Sequence, residues 1–209
     1  MTKVYLIRHG STVNSKDVFS GSQDPELSEA GKRQAEALRD RLKDELISRF
    51  YTSQKKRAMD TARIIAEPHF KNNMWAVPTQ IENLKEIGHG HWEGMTKDEV
   101  MARWHSEYQE WNKDPFLFAP DGGETGLQVL GRLMPVMRQI VKDNEGQTCA
   151  IISHKAAIRL IVCSALGLDP RGYRDRMDLD YCSLTLLEHN DSHYAKLRLY
   201  NDVSHYRKM

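Results

Sequence analysis

Residues 3–7 (Lys3, Val4, Tyr5, Leu6, Ile7) are apolar or aromatic after the first position, and the run stops at Arg8, His9 and Gly10. A short run of this kind fits a strand buried on both faces. The period then changes. Ser28 is a good N-cap with Leu27 placed to staple the first turn, and Ala35, Leu38, Leu42 and Leu46 recur at helical spacing. Residues 47–52 predict a second strand, residues 55–66 a helix, and residues 75–84, which contain Pro78, a broken strand region. Residues 96–111 are amphipathic, with Val100, Trp104, Tyr108 and Trp111 on one stripe. A loop over 118–125 leads into a long helix over 127–142, adjusted near Pro135. Residues 148–152 predict another strand and 156–166 a helix that ends before Gly167. Residues 181–188 and 195–200 alternate like paired strands.

Strand and helix alternate without an internal repeat, low-complexity tract or linker. The expectation is one α/β domain over 1–209, a three-layer sandwich with a largely parallel central sheet flanked by helices. Residues 96–126 form a small helical cap insertion in that scheme. The length of 209 residues suits one domain with a substantial core. The aromatic stripe of the cap reads as core or substrate cap rather than partner surface, with a homodimer through it left open.

Composition narrows the partners. Thirty Lys and Arg face twenty-nine Asp and Glu, a net charge of +1, so nucleic acid and membrane surfaces are not expected partners. The N-terminus lacks a signal-peptide pattern, and the apolar region 158–168 is interrupted by Arg159 and too short to span a bilayer. Cys149, Cys163 and Cys182 lie in apolar segments without CxxC spacing. They read as buried free thiols of a reducing compartment, so the cytoplasm is expected.

Any anion recognition must therefore be local. Ligands of such sheets bind beyond the carboxyl ends of the strands. Arg8 and His9 follow one strand; Ser153 and His154 follow another, so parallel pairing would put both imidazoles on one rim. Small residues come next in each case (Gly10; Ala156 and Ala157), allowing close approach. Arg57, at the next strand-to-helix junction, can face the same rim. Guanidinium forks match phosphate oxygens two at a time, so Arg8, Arg57 and two imidazoles make an anion trap. A single strand-end histidine would ordinarily be structural; the paired placement is what points to chemistry.

The segments "LIRHGST", "SQKKRAMDTA", "LKEIGHGHWEG", "GGET" and "IISHKAAIR", in this order along nearly the whole chain, resemble the histidine phosphatase superfamily, the phosphoglycerate-mutase-like enzymes, in its phosphatase branch. The resemblance implies that His9 becomes phosphorylated, that Arg8, Arg57 and His154 bind the phosphate, and that Glu86 donates a proton. Glu93 is the rival acid, because both glutamates fall in one loop. Thr12, Gly21 and Lys155 join the expected phosphate- and substrate-binding set. The family asparagine falls one position later than Asn14, so either Asn14 or Ser15 takes its place. Lys155 stands where the family usually has glycine, and its ammonium favours anionic substrates. The loop "IGHGHWEGM" is similar to that of metal-independent phosphoserine phosphatases, which gives His89 a substrate-recognition role and sets His205 over the site. His89 and His91 lack an acidic partner at ligand spacing, so no metal and no cofactor are expected.

The expected function is hydrolysis of a small phosphate ester through a phosphohistidine. A phosphoglycerate mutase is the enzymatic alternative, although the longer, basic insertions of dedicated mutases are absent. The non-enzyme alternative is an inactive phospho-ligand-binding module; its signature would be a missing nucleophile or phosphate cation, and Arg8, His9, Arg57, Glu86 and His154 are all present.

Overall fold

The structure is a computed structural model that describes residues 1–13, 18–70, 76–190 and 195–207. The described residues form strands β1 (Thr2–Arg8), β2 (Arg49–Thr52), β3 (Thr79–Gln80), β4 (Thr148–Ser153), β5 (Leu184–His189) and β6 (Ala195–Asp202). They also form helices α1 (Glu29–Leu42), α2 (Lys56–Phe70), α3 (Lys97–Arg103), α4 (His105–Lys113), α5 (Gly126–Asp143) and α6 (Lys155–Leu166).

The strands make one sheet in the order β3-β2-β4-β1-β5-β6. β1, β2, β3 and β4 pair in parallel, whereas β5 runs antiparallel to both β1 and β6. Alternation explains how β1 is covered. Val4 and Leu6 belong to a core shared with Val129 and Leu133 of α5 and Leu160 of α6. Tyr5 and Ile7 face Leu38 of α1 and Ile65 of α2 in a second core. The result is the expected three-layer α/β sandwich. A residue such as Leu6, fully buried, contributes about 1.5–3 kcal/mol relative to exposure.

Helix ends follow their caps. Ser28 Oγ accepts from Gly31 N at 3.0 Å at the start of α1. Thr125 and Gln128 form a reciprocal capping box on α5, and Gly167, at φ 66°, closes α6 in the left-handed region that favours glycine. Two expectations need correction. α1 stops at Leu42, and Leu46 is 91% exposed, because a tight turn (Ile47 N to Glu45 O, 3.0 Å) delivers Ile47 to the core instead. The amphipathic segment 96–111 is two helices broken at Trp104, with a capping box of Thr96 and Glu99 on the first. Its Val100, Tyr108 and Trp111 pack with Trp92 into a separate small core, so that stripe faces inward.

Register positions the chemistry. Arg8 lies opposite Ser153 in the β1–β4 pairing, so His9 and His154 emerge side by side from neighbouring parallel strands. β2 joins β4 on the other side and delivers Ser53 and α2 to the same rim.

Candidate active site

A cavity of about 330 Å³ opens at this rim, a size suited to a small metabolite. Arg8, His9, Thr12, Gly21, Arg57, Glu86, His89 and Lys155 all contribute to its walls. His154 lies directly behind His9, fully buried, with the ring centroids 5.1 Å apart. A larger cleft of about 720 Å³, beside His91 and Arg103 on the cap, contains none of these groups.

The nucleophile candidate is held by its own backbone. His9 Nδ1 lies 2.8 Å from Gly10 O. A carbonyl only accepts, so the hydrogen sits on Nδ1 and Nε2 keeps its lone pair. Burial above all, and then the positive charges of Arg57 and Arg8, hold His9 well below the ordinary imidazole value; its hydrogen bond to Gly10 opposes this. His9 is therefore a neutral imidazole at pH 7.

Gly10 has a different reason to be glycine from the one the sequence suggested. A Cβ there would sit 2.6 Å from the Gly31 carbonyl, so it is α1, rather than ligand alone, that makes the close approach. Gly10 N also donates to Thr61 Oγ1 at 3.0 Å, and that hydroxyl donates to Arg57 O at 2.7 Å.

The segment from Ser53 to Thr61 braces the site at three points. Ser53 Oγ accepts from Lys55 N at 3.2 Å and lies 2.9 Å from His154 Nε2. Either group of that pair can be the donor, and the other ring nitrogen of His154, Nδ1, is buried without a hydrogen-bond partner among the described residues. Arg57 is only 1% exposed; it donates to Gln23 O at 2.6 Å and Gly21 O at 3.4 Å. Arg8 donates to Leu179 O at 2.6 Å, and its guanidinium carbon lies 3.6 Å from the Tyr181 ring centroid. Burial lowers the pKa of both arginines, so each is a desolvated cation suited to an incoming anion. His154, too, is held well below the ordinary value, by burial first and then by His9, Arg57, Arg8 and Lys55.

The two glutamates part company here. Glu86 lines the cavity at the start of α6, accepting from Ala156 N at 3.2 Å and Ile87 N at 3.0 Å. Glu93 is turned outward from that cavity. It accepts from Ser22 N at 2.9 Å and His89 N at 3.0 Å and bonds the Ser22 hydroxyl, tying the 20–23 loop to the Glu86 loop. Gly21, at φ 39°, packs against it where a Cβ would collide. Behind Glu86, Arg132 donates to the carbonyls of Asn83, Lys85 and Glu86 (2.7, 2.9 and 3.0 Å) and pairs with Glu124, which accepts from Gly88 N at 3.0 Å.

His89 lines the cavity near Phe19 and Trp111, its ring 4.9 Å and 5.9 Å from theirs, and burial lowers its pKa. His205 does not reach the cavity. Its ring is held beside Arg41 at 3.3 Å and packs on Tyr206, with its pKa lowered to about 4 by burial and Arg41. The turn after β6 carries it toward the far end of α1. Asn14 and Ser15 lie outside the described residues. Among the described residues no group of three or more His, Cys, Asp or Glu side chains gathers as a metal site. No helix among them is long and apolar enough to cross a membrane. The cysteines are free and buried.

Sequence reasoning missed Arg159, Tyr173, Arg174 and Tyr181, all of which line the cavity. Arg159 is four residues after Lys155, so helical spacing puts both on one face of α6; that was the available signal. The others follow α6 in turns without periodicity.

The family model of the histidine phosphatase superfamily (branch 1) matches residues 4–203. Phosphoserine phosphatase 1 of Hydrogenobacter thermophilus is 34% identical over 170 residues, covering 81% of this chain and 78% of that protein. The metal-independent phosphoserine phosphatase of Arabidopsis thaliana is 32% identical over 164 residues, covering 77% and 67%. Bacillus stearothermophilus YhfR shares the structure with a TM-score of 0.89 at 29% identity, covering 98% and 99% of the two chains.

Proposed function

The chain belongs to the histidine phosphatase superfamily and is a phosphoric monoester hydrolase of it, and on that premise we propose hydrolysis of a small phosphate ester, of the phosphoserine kind, through a phosphohistidine on His9. The observation that carries the proposal is the hydrogen bond of His9 Nδ1 to its neighbour's carbonyl, which frees Nε2 beside the buried Arg57 and the partly buried Arg8.

In the first step the Nε2 lone pair forms the N–P bond as the ester P–O bond breaks. Glu86, entering as the carboxylic acid, gives its proton to the leaving oxygen. Arg8, Arg57 and Nδ1 of His154 take the equatorial oxygens, where charge crowds during in-line transfer. In the second step Glu86 takes a proton from water, whose oxygen attacks phosphorus and breaks the N–P bond. Inorganic phosphate leaves and His9 is restored. No step needs a metal. Thr12 and Gly21 border the phosphate, His89 and Trp111 the alcohol portion, and a reducing, cytoplasmic setting suits the three buried thiols.

The test is turnover of p-nitrophenyl phosphate and O-phosphoserine in excess EDTA. Release of inorganic phosphate supports the reading. Transfer of the phosphoryl group to a second hydroxyl of the substrate without net phosphate release would favour the mutase alternative. Tight phosphate binding with no turnover would favour the binding module.

A further inference from the structure

We propose that Asn201, in β6, and Tyr206, in the turn after it, are positioning residues that aim the guanidinium of Arg8 through the segment 178–182. Neither lines the cavity. Their role presupposes that Arg8 holds the phosphate, and it gives β6 and its turn a task that the phosphatase reading leaves open.

Residues 178–182 connect the turn after α6 to β5 and belong to no helix or strand. Backbone groups in such a segment lack ladder partners and must find others. Asp178 O accepts from the Tyr200 hydroxyl at 2.6 Å, Asp180 N donates to Asn201 Oδ1 at 2.7 Å, and Tyr181 O accepts from the Tyr206 hydroxyl at 2.7 Å. The other two residues turn toward the site. Leu179 O accepts from Arg8 at 2.6 Å, and Cys182 N donates to His9 O at 3.3 Å. Three bonds thus run to residues 200–206 and two to Arg8 and His9.

Arg8 takes its direction from this segment. Besides its bond to Leu179 O, its guanidinium carbon lies 3.6 Å from the Tyr181 ring centroid, a stacking that fixes the plane of the fork. Its Nε has no hydrogen-bond partner among the described residues. A fork that must meet two phosphate oxygens at once depends on its angle as well as its distance.

The backbone shows how firmly the segment is held. Cys182, fully buried, has φ 48°, in the left-handed region that residues other than glycine seldom adopt. Such a conformation persists where its surroundings over-determine it, and hydrogen bonds at Tyr181 O and Cys182 N grip it from both sides. Asn201, at φ 49°, is a residue type that tolerates the region, and its Nδ2 adds a second bond to Asp180, at 3.3 Å to Oδ2. The turn after β6 is fastened to α1, because Arg41 pairs with Asp202 at 2.6 Å and donates to Ser204 Oγ at 3.2 Å. Burial raises the Tyr206 pKa to about 12, so its hydroxyl stays a donor across the neutral range. Residues 200–206 are an anchored support.

The experiment is a double-mutant cycle on the full chain. Tyr206→Phe removes one hydroxyl and keeps the ring; Asn201→Gly removes the side chain and suits the left-handed backbone. Each is made in wild type and in Arg8→Lys. The readouts are kcat/KM for O-phosphoserine and p-nitrophenyl phosphate, and the Kd of inorganic phosphate from calorimetry. In the wild-type background each should lower kcat/KM about 5- to 20-fold, by the same factor on both esters because Arg8 serves the shared phosphate. Phosphate binding should weaken by a similar factor. With Arg8→Lys the same substitutions should cost less than about 2-fold in phosphate binding, because lysine lacks the fork and the stack that they aim. Wild-type kinetics and phosphate affinity in the folded variants would overturn the proposal. So would equal losses in both backgrounds, the mark of a general loosening, or a loss confined to O-phosphoserine. A wild type that turns over neither ester would overturn the phosphatase reading instead, and the phosphate-binding cycle would still decide the role of these residues. If one variant fails to fold, the other decides.

Discussion

Arg132 never touches the cavity, yet replacing it should cost activity in a way that depends on the leaving group. Its guanidinium makes a bidentate pair with Glu124 (2.8 and 2.9 Å) and donates to the carbonyls of Asn83, Lys85 and Glu86, which shape the Glu86 loop. Arg132→Ala leaves Glu124 without its cation and those carbonyls to water. The side chain is 13% exposed, so rehydration offsets part of the loss, and a net destabilisation of about 2–4 kcal/mol is expected. The catalytic effect is larger. A shift of roughly 1 Å in a catalytic group costs on the order of 100-fold, and general acid catalysis is worth about 100- to 10,000-fold. Only a leaving group that needs the proton should feel it. Serine is a poor leaving group as its alkoxide, whereas p-nitrophenolate departs with little assistance. The ratio kcat/KM covers binding and phosphoryl transfer to His9 but not the later attack of water. We expect kcat/KM to fall about 30- to 100-fold for O-phosphoserine and less than about 5-fold for p-nitrophenyl phosphate. Glu124→Gln and Glu86→Gln should show the same split, Glu124→Gln more weakly. Equal losses on both substrates in a folded variant would refute the assignment of Arg132 as the support of the acid. Unchanged kinetics would do the same.

Three further outcomes follow from the site. His9 and His154 have folded pKa values well below the unfolded value of about 6.5, so their stability contribution is full above that pH and lost as pH falls from it through the folded values. Unfolding free energies from urea titration should therefore drop between pH 7.5 and 5.5, by up to about 1.4 kcal/mol per pH unit for each group, and His9→Asn should flatten the slope. Gly10→Ala forces a Cβ to 2.6 Å from the Gly31 carbonyl; about 1–3 kcal/mol of stability should be lost by denaturant titration, along with most activity. Ser53→Ala frees Nε2 of His154 from its hydrogen bond, and phosphate inhibition should weaken several-fold, with about 1–3 kcal/mol of stability lost because the buried ring nitrogen is left unpaired.

Much of the architecture is legible in the chain because its strands and helices announce their periods. β1 and β4 are continuous apolar runs, and each ends in an imidazole; parallel pairing then does the rest. Other features depend on contacts far apart in sequence. Spacing cannot separate Glu86 from Glu93, since both follow the same short strand. The N–H groups of Ala156 and Ile87 and the hydroxyl of Ser22 separate them in space. Arg159 reads as an interruption of an apolar helix because its value lies in the cavity it faces, which only the packing of α6 against the sheet defines. His205 fails for the opposite reason: a motif fixes its neighbours in sequence, while the turn after β6 sends the ring to Arg41. Leu46 looked like the next helical core position, yet Ile47 takes that place once the chain turns toward β2.

The most direct test is to mix the protein with 32P-labelled substrate in EDTA, quench in alkali and map the labelled peptide. A burst approaching one phosphoryl group per chain, stable to base, labile to acid and located on His9, is the predicted result. Label on another residue, or a His9→Ala protein that still turns over substrate at a rate near wild type, would contradict it.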